Sequence, residues 1–405
     1  MTALADLRVL DLTRVLAGPL CTMWLGDMGA DVVKIERPDG GDDTRSWGPP
    51  FAAGESAYFL GVNRNKRSVT LDLGGEEGIV ILRRLAAGAD VVVDNFKAGT
   101  LERWGLDDAF FEQVAPRAVR CTISGYGSTG PKSGMPGYDF ILQAETGLMA
   151  ITGEPGGESM KLGVAIVDIC TGMLASIAIL GALHARDVTG KGQRTEVSLH
   201  DTGIQMLANV AANHLVSGAE AARHGNGHPN IVPYRTYAAA DGELALAVGN
   251  DAQFARFSAV AGRPDWAHDP RFARNRDRVA NRAEIDALIA GVVATRTRAE
   301  WVVLLEAAGI PSGPINLVSE ALASEQARVA GMVTEVTHPL VGTLPMTGIP
   351  FSLFGTPPTI RRPPPTLGEH TSEVLGEVLG IDEYELARLA AAGITQAHHD
   401  GEEGA

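Results

Sequence analysis

The chain has 405 residues, which is long enough for two domains with separate hydrophobic cores. Apolar residues make up 45% of the sequence and charged residues 20%, as in ordinary globular proteins, and the formal net charge is −15. This acidic balance argues against an extended nucleic-acid-binding surface, so local basic groups must hold any anionic ligand.

In chain order, alternating strands and helices are predicted over the first two hundred residues. They are a strand at Arg8–Leu12, a helix at Pro19–Met28, strands at Asp31–Glu36 and Ser68–Leu73, a helix at Glu76–Ala87, strands at Asp90–Asn95 and Ala118–Ser124, helices at Gly137–Met149 and Thr171–Arg186, a strand at Arg194–Leu199 and a helix from about Asp201. Short β–α connections predict an α/β fold class, with a mostly parallel sheet covered by helices on both faces.

A smaller α+β domain is predicted after residue 217, where a loop rich in Gly, Pro and Asn begins. Its predicted parts are a hairpin at Tyr237–Val248 that turns at Asp241-Gly242, helical segments from about Asp251 to Gly309, and a second linker at about 312–345. Two C-terminal helices are expected at Ser372–Leu379 and Glu383–Ala392, and residues 398–405 are expected to fray.

The predicted division has three parts. Residues 1–216 form the N-terminal part of the large domain, 217–330 a linker and the small domain, and 331–405 a second linker and the C-terminal return to the large domain.

Cysteine usage and the N-terminal sequence predict a cytoplasmic protein. Cys21, Cys121 and Cys170 are scattered without metal-ligand spacing, and free thiols are expected. The first residues lack the basic and then apolar layout of a signal peptide. No stretch approaches about eighteen uninterrupted apolar residues, so no membrane association is expected.

A single acid, Asp168, stands between two apolar stretches. Five of the six residues in Leu162–Val167 are apolar, and residues 173–184 form an apolar helical run. An ionised carboxylate without partners would be costly in such a place. Asp168 is therefore expected either to cap a helix, a position for which Asp is preferred, or to take part in chemistry.

The first β–α turn lacks the usual dinucleotide-binding motif. The first β–α turn, Arg14–Pro19, has no Gly-x-Gly-x-x-Gly pattern, and there is no Walker-type loop or Gly-x-Ser-x-Gly elbow. His224 and His228 lie in a predicted linker, and there is no HExxH motif, so no metal site is predicted. The predicted helix start near Ala17 can still offer backbone N–H groups to an anion.

Basic residues recur where predicted strands begin or end, and open α/β sheets bind ligands at such an edge. Arg37 follows the second strand, Arg64-Asn-Lys-Arg67 precedes the third, and Lys97 and Arg103 follow the fourth. Each alone is typical of a solvated charge, but their recurrence indicates a phosphate-bearing partner. The glycine-rich stretch Ser124–Pro131 is typical either of a loop that approaches a ligand or of a plain surface loop.

Ordered motifs along almost the whole chain resemble those of the family III CoA-transferases, the group that includes formyl-CoA transferase and carnitine CoA-transferase. The matching stretches are Leu7–Pro19, Gly29–Pro38, Asn63–Ser68, Val93–Gly99, Ser124–Gly127, Gly137–Phe140, Val167–Gly172, Thr189–Gln193 and Leu367–Thr371. The resemblance implies a Rossmann-like large domain and an interlocked homodimer.

In that family, the residue that matches Asp168 is the nucleophile. The resemblance implies that Asp168 attacks an acyl-CoA and that CoA reaches a carboxylic acid through aspartyl anhydride and aspartyl-CoA intermediates. It implies coenzyme A as a co-substrate, no tightly bound cofactor, and an acyl-CoA and a small carboxylic acid as partners.

The resemblance also places contacts with coenzyme A at matching positions. They are Leu16 and Ala17 at the first turn, Arg37 near the phosphates, Leu71, Asp72, Leu73 and Gly74 beside the adenine, Asn95, Phe96 and Lys97 after the next strand, Arg103 on the helix beyond, and Pro136, Gly137, Tyr138 and Asp139 near the pantetheine and Asp168. Glycines at about 125–130 are hypothetical amide donors to an oxyanion. Formyl-CoA transferase has a glycine-rich flap in its small domain, and this chain has no tetraglycine, which disfavours a formyl or oxalate substrate.

Three different functions stay open beside CoA transfer. The first is that of α-methylacyl-CoA racemase, which has the same fold but pairs its aspartate with the His of a Gly-His-Asp motif. This chain has Gly137-Tyr138-Asp139, and tyrosine, with an ordinary pKa of about 10, is a poor base near neutral pH. The second is CoA binding without catalysis, and the third is CoA lyase or hydrolase activity. The sequence identifies neither acyl donor nor acceptor; succinyl-CoA is a common donor in the family, and short dicarboxylates or hydroxy acids are candidate acceptors.

Overall fold

The computed structural model describes residues 2–396, so the predicted fraying of residues 398–405 lies outside the described residues. Within that range the strands are β1 (Arg8–Leu12), β2 (Asp31–Glu36), β3 (Phe51–Ala52), β4 (Glu55–Ser56), β5 (Lys66–Thr70), β6 (Val91–Asp94), β7 (Val119–Ser124), β8 (Arg194–Ser198), β9 (Tyr234–Ala239), β10 (Gly242–Ala247), β11 (Ser312–Pro314), β12 (Val333–His338) and β13 (Gly342–Thr347).

Helices connect and flank these strands. They are α1 (Ala17–Asp27), α2 (Ala57–Leu60), α3 (Glu76–Ala87), α4 (Thr100–Arg103), α5 (Asp108–Val114), α6 (Asp139–Glu145), α7 (Leu148–Ile151), α8 (Ile166–Thr189), α9 (Leu199–Met206), α10 (Ala208–Ser217), α11 (Asp251–Val260), α12 (Asn275–Ala280), α13 (Arg282–Val293), α14 (Arg298–Ala307), α15 (Val318–Ala323), α16 (Glu325–Val329), α17 (Thr371–Leu379) and α18 (Glu383–Ala391). The predicted bounds of β1, β2 and α3 are confirmed, because local patterning is strong in all three.

The predicted parallel sheet is confirmed. Six strands pair in parallel in the order β5-β2-β1-β6-β7-β8. Counted along the chain this order is 3-2-1-4-5-6, and it reverses direction between β1 and β6. Ligands of such sheets bind in the crevice outside the carboxyl ends of the strands on either side of that reversal.

The two faces of the sheet bury separate apolar clusters. One face packs on α1 and α8, and the other packs on α3 and α17. Neighbours along one strand, such as Val9 and Leu10 or Val92 and Val93, belong to opposite clusters because successive side chains point to opposite faces. Burial on both faces explains why the central strands are nearly continuous apolar runs.

Helix α8 differs most from its predicted bounds. It begins at Ile166 instead of Thr171 and ends at Thr189, so Asp168 is its third residue. Helix α8 has 24 residues, and its most apolar window of 18 residues has a mean hydropathy of 2.1, so it is long and apolar enough to cross a membrane by length and composition alone. Core helices of soluble proteins share these properties, and α8 packs on α1, β7 and β8 through buried residues such as Val167 and Ile179. Its composition is therefore weak evidence for a membrane span.

The chain separates into two compact units. The first includes the residues up to Leu148, Leu162–Ala211 and the chain from Glu325 onward, and the second includes Met149–Lys161 and Ala212–Ser324. In the second unit, β9 and β10 form the predicted antiparallel hairpin, β11 pairs with β10, and Trp266 and Trp301 are buried in the core. Residues 312–345, where a linker is predicted, contain β11, α15, α16 and the hairpin strand β12.

Candidate active site

A cavity of about 450 Å³ opens beside the carboxyl ends of β1, β6 and β7. Its lining includes Leu16 and Ala17 of the β1–α1 turn, Asn95–Thr100 after β6, Ser124–Ser128 after β7, Gly134–Tyr138 before α6, and Asp168 of α8. These segments are far apart in the sequence, and the parallel sheet brings them to one edge.

A second cavity of about 330 Å³ shares Arg14, Phe96 and Thr100 with the first, so the two adjoin. Of the residues predicted to contact coenzyme A, Leu16, Ala17, Asn95, Phe96, Lys97, Pro136, Gly137 and Tyr138 line the first cavity, and Arg37, Leu71, Asp72, Leu73, Gly74 and again Phe96 line the second. Arg103 and Asp139 line neither cavity.

The expectation that Asp168 caps a helix is wrong. Ala165 occupies the N-cap position of α8, and no described residue donates a hydrogen bond to the Asp168 carboxylate. Burial, together with the nearby Asp139 carboxylate, raises the pKa of Asp168 to about 7. Asp168 is thus an enclosed acid without a described partner that changes its charge near neutral pH.

Asp139 lies behind the cavity wall at the start of α6. Its Oδ1 accepts a hydrogen bond from the backbone N–H of Val167 at 2.8 Å, and its Oδ2 accepts one from Gln143 Nε2 at 2.7 Å. Both carboxylate oxygens are therefore used inside the protein.

The β1–α1 turn is held in a strained backbone conformation. Val15 has φ of 74°, a left-handed value that is rare for a β-branched residue. Asn95 accepts from the N–H of Arg14 at 3.0 Å and donates to its carbonyl at 2.7 Å, while Asp42 accepts from the N–H of Val15 at 3.2 Å. A strained backbone conformation persists only where surrounding contacts fix it, and these three hydrogen bonds fix the turn.

Buried charges beneath the turn reinforce it. The Lys34 ammonium donates to the carbonyl of Thr13 at 2.8 Å and to Asp42 at 2.9 Å. Burial alone would raise the pKa of Asp42, but Lys34 and hydrogen bonds from Thr44 hold it at about 2. The Asp42 carboxylate consequently stays ionised and continues to accept the hydrogen bond from the Val15 N–H.

The predicted phosphate-binding role of the basic stretch at residues 64–67 is not supported by the structure. Arg64 is buried and pairs with Asp27 at 2.7 Å, and it also donates to the carbonyl of Thr347 at 2.6 Å. Lys66 is buried and pairs with Asp11 at 2.9 Å. These cations hold separate parts of the chain together, because each of them forms an ion pair with an acidic residue that is distant in the sequence.

Other basic groups face the two cavities. Arg37, about half exposed, donates to Asp43 at 2.8 Å, and Lys97 is exposed at the first cavity. Arg14 lies between the cavities with its guanidinium 5.8 Å from the centre of the Phe96 ring. Arg103 donates to Thr100 Oγ1 at 3.0 Å on α4. Within residues 2–396, no group of three or more His, Cys, Asp or Glu side chains has a geometry that could hold a metal ion.

The sequence interpretation missed several polar residues of the first cavity. They are Arg14, Asp94, Arg120, Thr122, Arg194 and Glu196. Asp94 accepts from Thr122 at 2.9 Å, and burial raises its pKa to about 6. The alternation along β7 is a sequence signal for two of them, because Arg120 and Thr122 separate the buried residues Val119, Cys121 and Ile123.

Two glycines allow the loop after β7 to lie in close contact with the segment before α6. A Cβ atom on Gly125 would lie 2.6 Å from the backbone nitrogen of Gly137, and one on Gly137 would lie 2.6 Å from the Cα of Gly125. Only glycine at both positions permits this contact. The loop after β7 and the segment before α6 therefore form one continuous wall of the cavity.

Comparisons with known proteins agree with this geometry. The profile of CoA-transferase family III matches residues 4–371. The chain is 42% identical over 400 residues to succinyl-CoA:glutarate CoA-transferase of Mus musculus, covering 98% of this chain and 91% of the relative. It is 42% identical over 385 residues to succinate–glutarate CoA-transferase of Agrobacterium fabrum, covering 94% and 96%.

A solved structure shows the same fold. The crystal structure of a CAIB/BAIF family protein from Brucella suis matches with a TM-score of 0.81 and 43% identity, covering 93% of this chain and 99% of that one. The resemblance carried by the sequence motifs is thereby confirmed. The chain belongs to CoA-transferase family III and is an enzyme that transfers coenzyme A between an acyl-CoA and a carboxylic acid.

Proposed function

We propose that this enzyme transfers coenzyme A by covalent catalysis at Asp168. The observation that carries the proposal is that Asp168 lines the cavity with no described hydrogen-bond partner. A buried carboxylate that served only the fold would be paired, as Asp11, Asp27 and Asp42 are.

The first half-reaction forms an aspartyl thioester. An Asp168 oxygen attacks the thioester carbonyl of the donor, the carbon–sulfur bond breaks, and the products are a mixed anhydride and the CoA thiolate. The thiolate then attacks the Asp168 carbonyl carbon, the anhydride C–O bond breaks, and the donor acid leaves as a carboxylate. Coenzyme A now resides on Asp168.

The second half-reaction runs the same steps in reverse with another acid. The acceptor carboxylate attacks the aspartyl thioester, which forms a new anhydride and releases the thiolate. Attack of the thiolate on the acceptor carbonyl gives the new acyl-CoA and restores the Asp168 carboxylate. Enclosure protects the anhydride from water, which would otherwise hydrolyse it.

The protonation state of Asp168 couples this chemistry to pH. Only the carboxylate is a nucleophile, and burial with Asp139 nearby raises the pKa of Asp168 to about 7. The first half-reaction should therefore accelerate as pH rises through about 7. A more basic carboxylate is also a better nucleophile once it is ionised.

The two adjoining cavities support the predicted coenzyme contacts. We assign the adenine and phosphate end to the cavity lined by Arg37 and Leu71–Gly74, and the pantetheine end to the cavity that holds Asp168. Arg37 and Lys97 supply positive charge along this path, which a ligand with several phosphate charges requires. Leu16 is the N-cap of α1 and Ala17 is its first residue, and backbone N–H groups at this helix start are available to a developing oxyanion.

Short dicarboxylic acids are the proposed acceptors, with succinyl-CoA as donor. Two relatives at 42% identity are named for succinate and glutarate. Arg14 lines the cavity together with Asp168 and offers a cation to a second carboxylate. Arg14 and Asp168 do not distinguish one short dicarboxylic acid from another.

We also propose a homodimer, interlocked as the family resemblance implies, with a Rossmann-like large domain and a cytoplasmic location. The 3-2-1-4-5-6 strand order supports the Rossmann-like assignment. Exposed apolar residues support the dimer: Met173, Leu174 and Ile177 are on α8, and Phe140 and Ile141 are on α6, which packs against α8. Clustered exposed apolar side chains are typical of protein interfaces.

Mass spectrometry tests the covalent mechanism. Purified enzyme is incubated with succinyl-CoA, with and without glutarate, quenched in acid and digested. We expect a CoA adduct on the peptide that contains Asp168 and acceptor-dependent formation of glutaryl-CoA. Asp168→Asn should give neither, whereas Asp187→Asn on the same helix should give both. Wild-type turnover without any Asp168 adduct across short quench times would contradict the mechanism.

A further inference from the structure

Helix α8 begins without a cap of its own. Its N-cap position is Ala165, which has no side-chain oxygen, so the first N–H groups of the helix need acceptors from elsewhere. Asp139 Oδ1 supplies one at 2.8 Å from the N–H of Val167, the residue directly before Asp168. The acceptor belongs to α6, and this contact fixes one helix against the start of another.

Gln143 extends the same contact by one helical turn. It is buried and lies four residues after Asp139, hence on the same face of α6. Its Nε2 donates to Asp139 Oδ2 at 2.7 Å, and its Oε1 accepts from the backbone N–H of Leu162 at 2.9 Å. The segment from Leu162 to Val167 is thereby held at both of its ends.

We propose that Asp139 and Gln143 are positioning residues that hold the start of α8 and so fix Asp168 in the cavity. This inference rests on the proposed role of Asp168. Since no described residue donates a hydrogen bond to the Asp168 carboxylate, its position depends on the backbone that carries it. Asp139 holds that backbone at Val167, the residue before the nucleophile, and Gln143 holds it at Leu162, six residues before.

Asp139 has a second effect because it is charged. A negative group next to Asp168 disfavours a second negative charge, so one residue sets both the position and the protonation of the nucleophile. Tyr58 is another titratable group close enough to interact electrostatically with Asp168, and it packs on the same apolar cluster as Ile169 of α8. Burial and the nearby Asp168, Asp139 and Asp42 carboxylates raise the pKa of Tyr58 to about 12, so it stays neutral.

Three variants separate position from charge. Asp139→Asn keeps an oxygen for the Val167 N–H, but it removes the charge and replaces the acceptor of Gln143 Nε2 with an NH2 group. Asp139→Ala removes the charge and both acceptors, and Gln143→Leu releases the Leu162 N–H while leaving the Asp139 charge. Glu145→Gln, at the exposed end of the same helix, is the matched control for loss of a negative charge. The measurements are kcat, KM for succinyl-CoA, the pH profile of kcat/KM, and circular dichroism to confirm folding.

Asp139→Asn should shift the rising limb of the pH profile down by about one pH unit. Its kcat at high pH should lie between those of wild type and Asp139→Ala, because the Val167 N–H keeps its acceptor and Gln143 loses its own. Asp139→Ala should lower kcat about 10- to 100-fold with KM for succinyl-CoA nearly unchanged, because misplacement of a reacting group slows chemistry more than binding. Gln143→Leu should lower kcat without shifting the rising limb of the pH profile. Glu145→Gln should leave kcat, KM and the pH profile unchanged.

Wild-type kcat and an unshifted pH limb in folded Asp139→Ala would overturn the positioning role. If Asp139→Ala does not fold, an unshifted limb in Asp139→Asn together with wild-type kcat in Gln143→Leu overturns it. Failure of the covalent mechanism is recognised separately, because wild-type enzyme would then form no adduct at Asp168. An adduct that forms in wild type and at the same rate in all three variants contradicts the positioning role alone.

Discussion

At the scale of single residues, the Asp168 carboxylate lowers the stability of the folded protein. Its pKa is raised from 3.8 to about 7, chiefly because burial disfavours the charge. The folded state therefore binds the Asp168 proton more tightly than the unfolded chain does. Stability falls as pH rises between about 4 and 7, and the full penalty applies above that window. Groups that destabilise the fold in this way are typical of functional sites.

Replacing Asp168 with Asn should therefore stabilise the protein while abolishing activity. We expect activity to fall by at least about 10⁴-fold, as when a covalent nucleophile is removed. At pH 8 the free energy of unfolding should rise by roughly 1–3 kcal/mol, since one pKa unit corresponds to about 1.4 kcal/mol. The gain should vanish near pH 4. Denaturant titrations at both pH values measure it, with the exposed Asp187→Asn as control; an Asp168→Asn protein less stable than wild type at pH 8 would contradict this account.

At the scale of elements, the contact between α1 and α8 places Asp168 beside the β1–α1 turn. Gly172 lies one helical turn after Asp168 and on the same face of α8. A Cβ on Gly172 would lie 2.5 Å from the carbonyl oxygen of Ala17. The helices can approach this closely only because residue 172 has no side chain, and the proposed catalytic position of Asp168 depends on that approach.

Gly172→Ala should therefore destabilise the protein despite the better helix propensity of alanine. We expect a loss of about 1–3 kcal/mol from overpacking and reduced kcat, since α8 must move away from Ala17. The matched control is Gly291→Ala in α13, where a Cβ would meet no atom within 4 Å. That change should stabilise by up to about 1 kcal/mol. Equal effects of the two substitutions, measured by thermal denaturation and steady-state kinetics, would show that the close approach is unimportant.

At the scale of the whole molecule, buried ion pairs join distant parts of the first compact unit. Arg64, two residues before β5, binds Asp27 of α1 and the carbonyl of Thr347, and Asn65 accepts from the N–H groups of Arg361 and Arg362. These contacts hold the C-terminal return of the chain against the first β–α unit. Met173, Leu174 and Ile177 of α8, by contrast, stay exposed, and Ile177 has 64% of its surface accessible.

A charged substitution on that exposed face should disrupt the proposed homodimer. We expect Ile177→Arg to lower the fraction of dimer that sediments after unfolded protein is refolded at micromolar concentration, since a buried unpaired charge is costly at an interface and interlocked chains can associate only while they fold. The control is Val80→Arg on α3, an isolated apolar residue with 48% exposure, which should leave the recovery of dimer unchanged. A wild-type protein that sediments as a monomer would contradict the homodimer, and an Ile177→Arg protein that refolds to dimer as completely as wild type would place the interface elsewhere.

Local patterning is sufficient for much of the fold. The predicted bounds of β1, β2 and α3 are those of the structure, because apolar alternation, turn residues and helix periodicity act over a few neighbouring residues. The predicted start of α8 is wrong by five residues because its acceptor, Asp139, lies 28 positions earlier in the chain. The interpretation of the basic stretch at 64–67 fails for the same reason, since its acidic partners are separated from it in sequence.

The sequence by itself determined the family, the parallel α/β sheet and the prominence of Asp168, because ordered motifs and short-range periodicity are written along the chain. Only the tertiary structure decided which charges are buried in pairs, which residues line the two cavities, and that Asp168 has no described partner while Asp139 holds its helix. The physical reason is that burial and electrostatic environment depend on neighbours in space, and folding brings together residues that the sequence keeps apart.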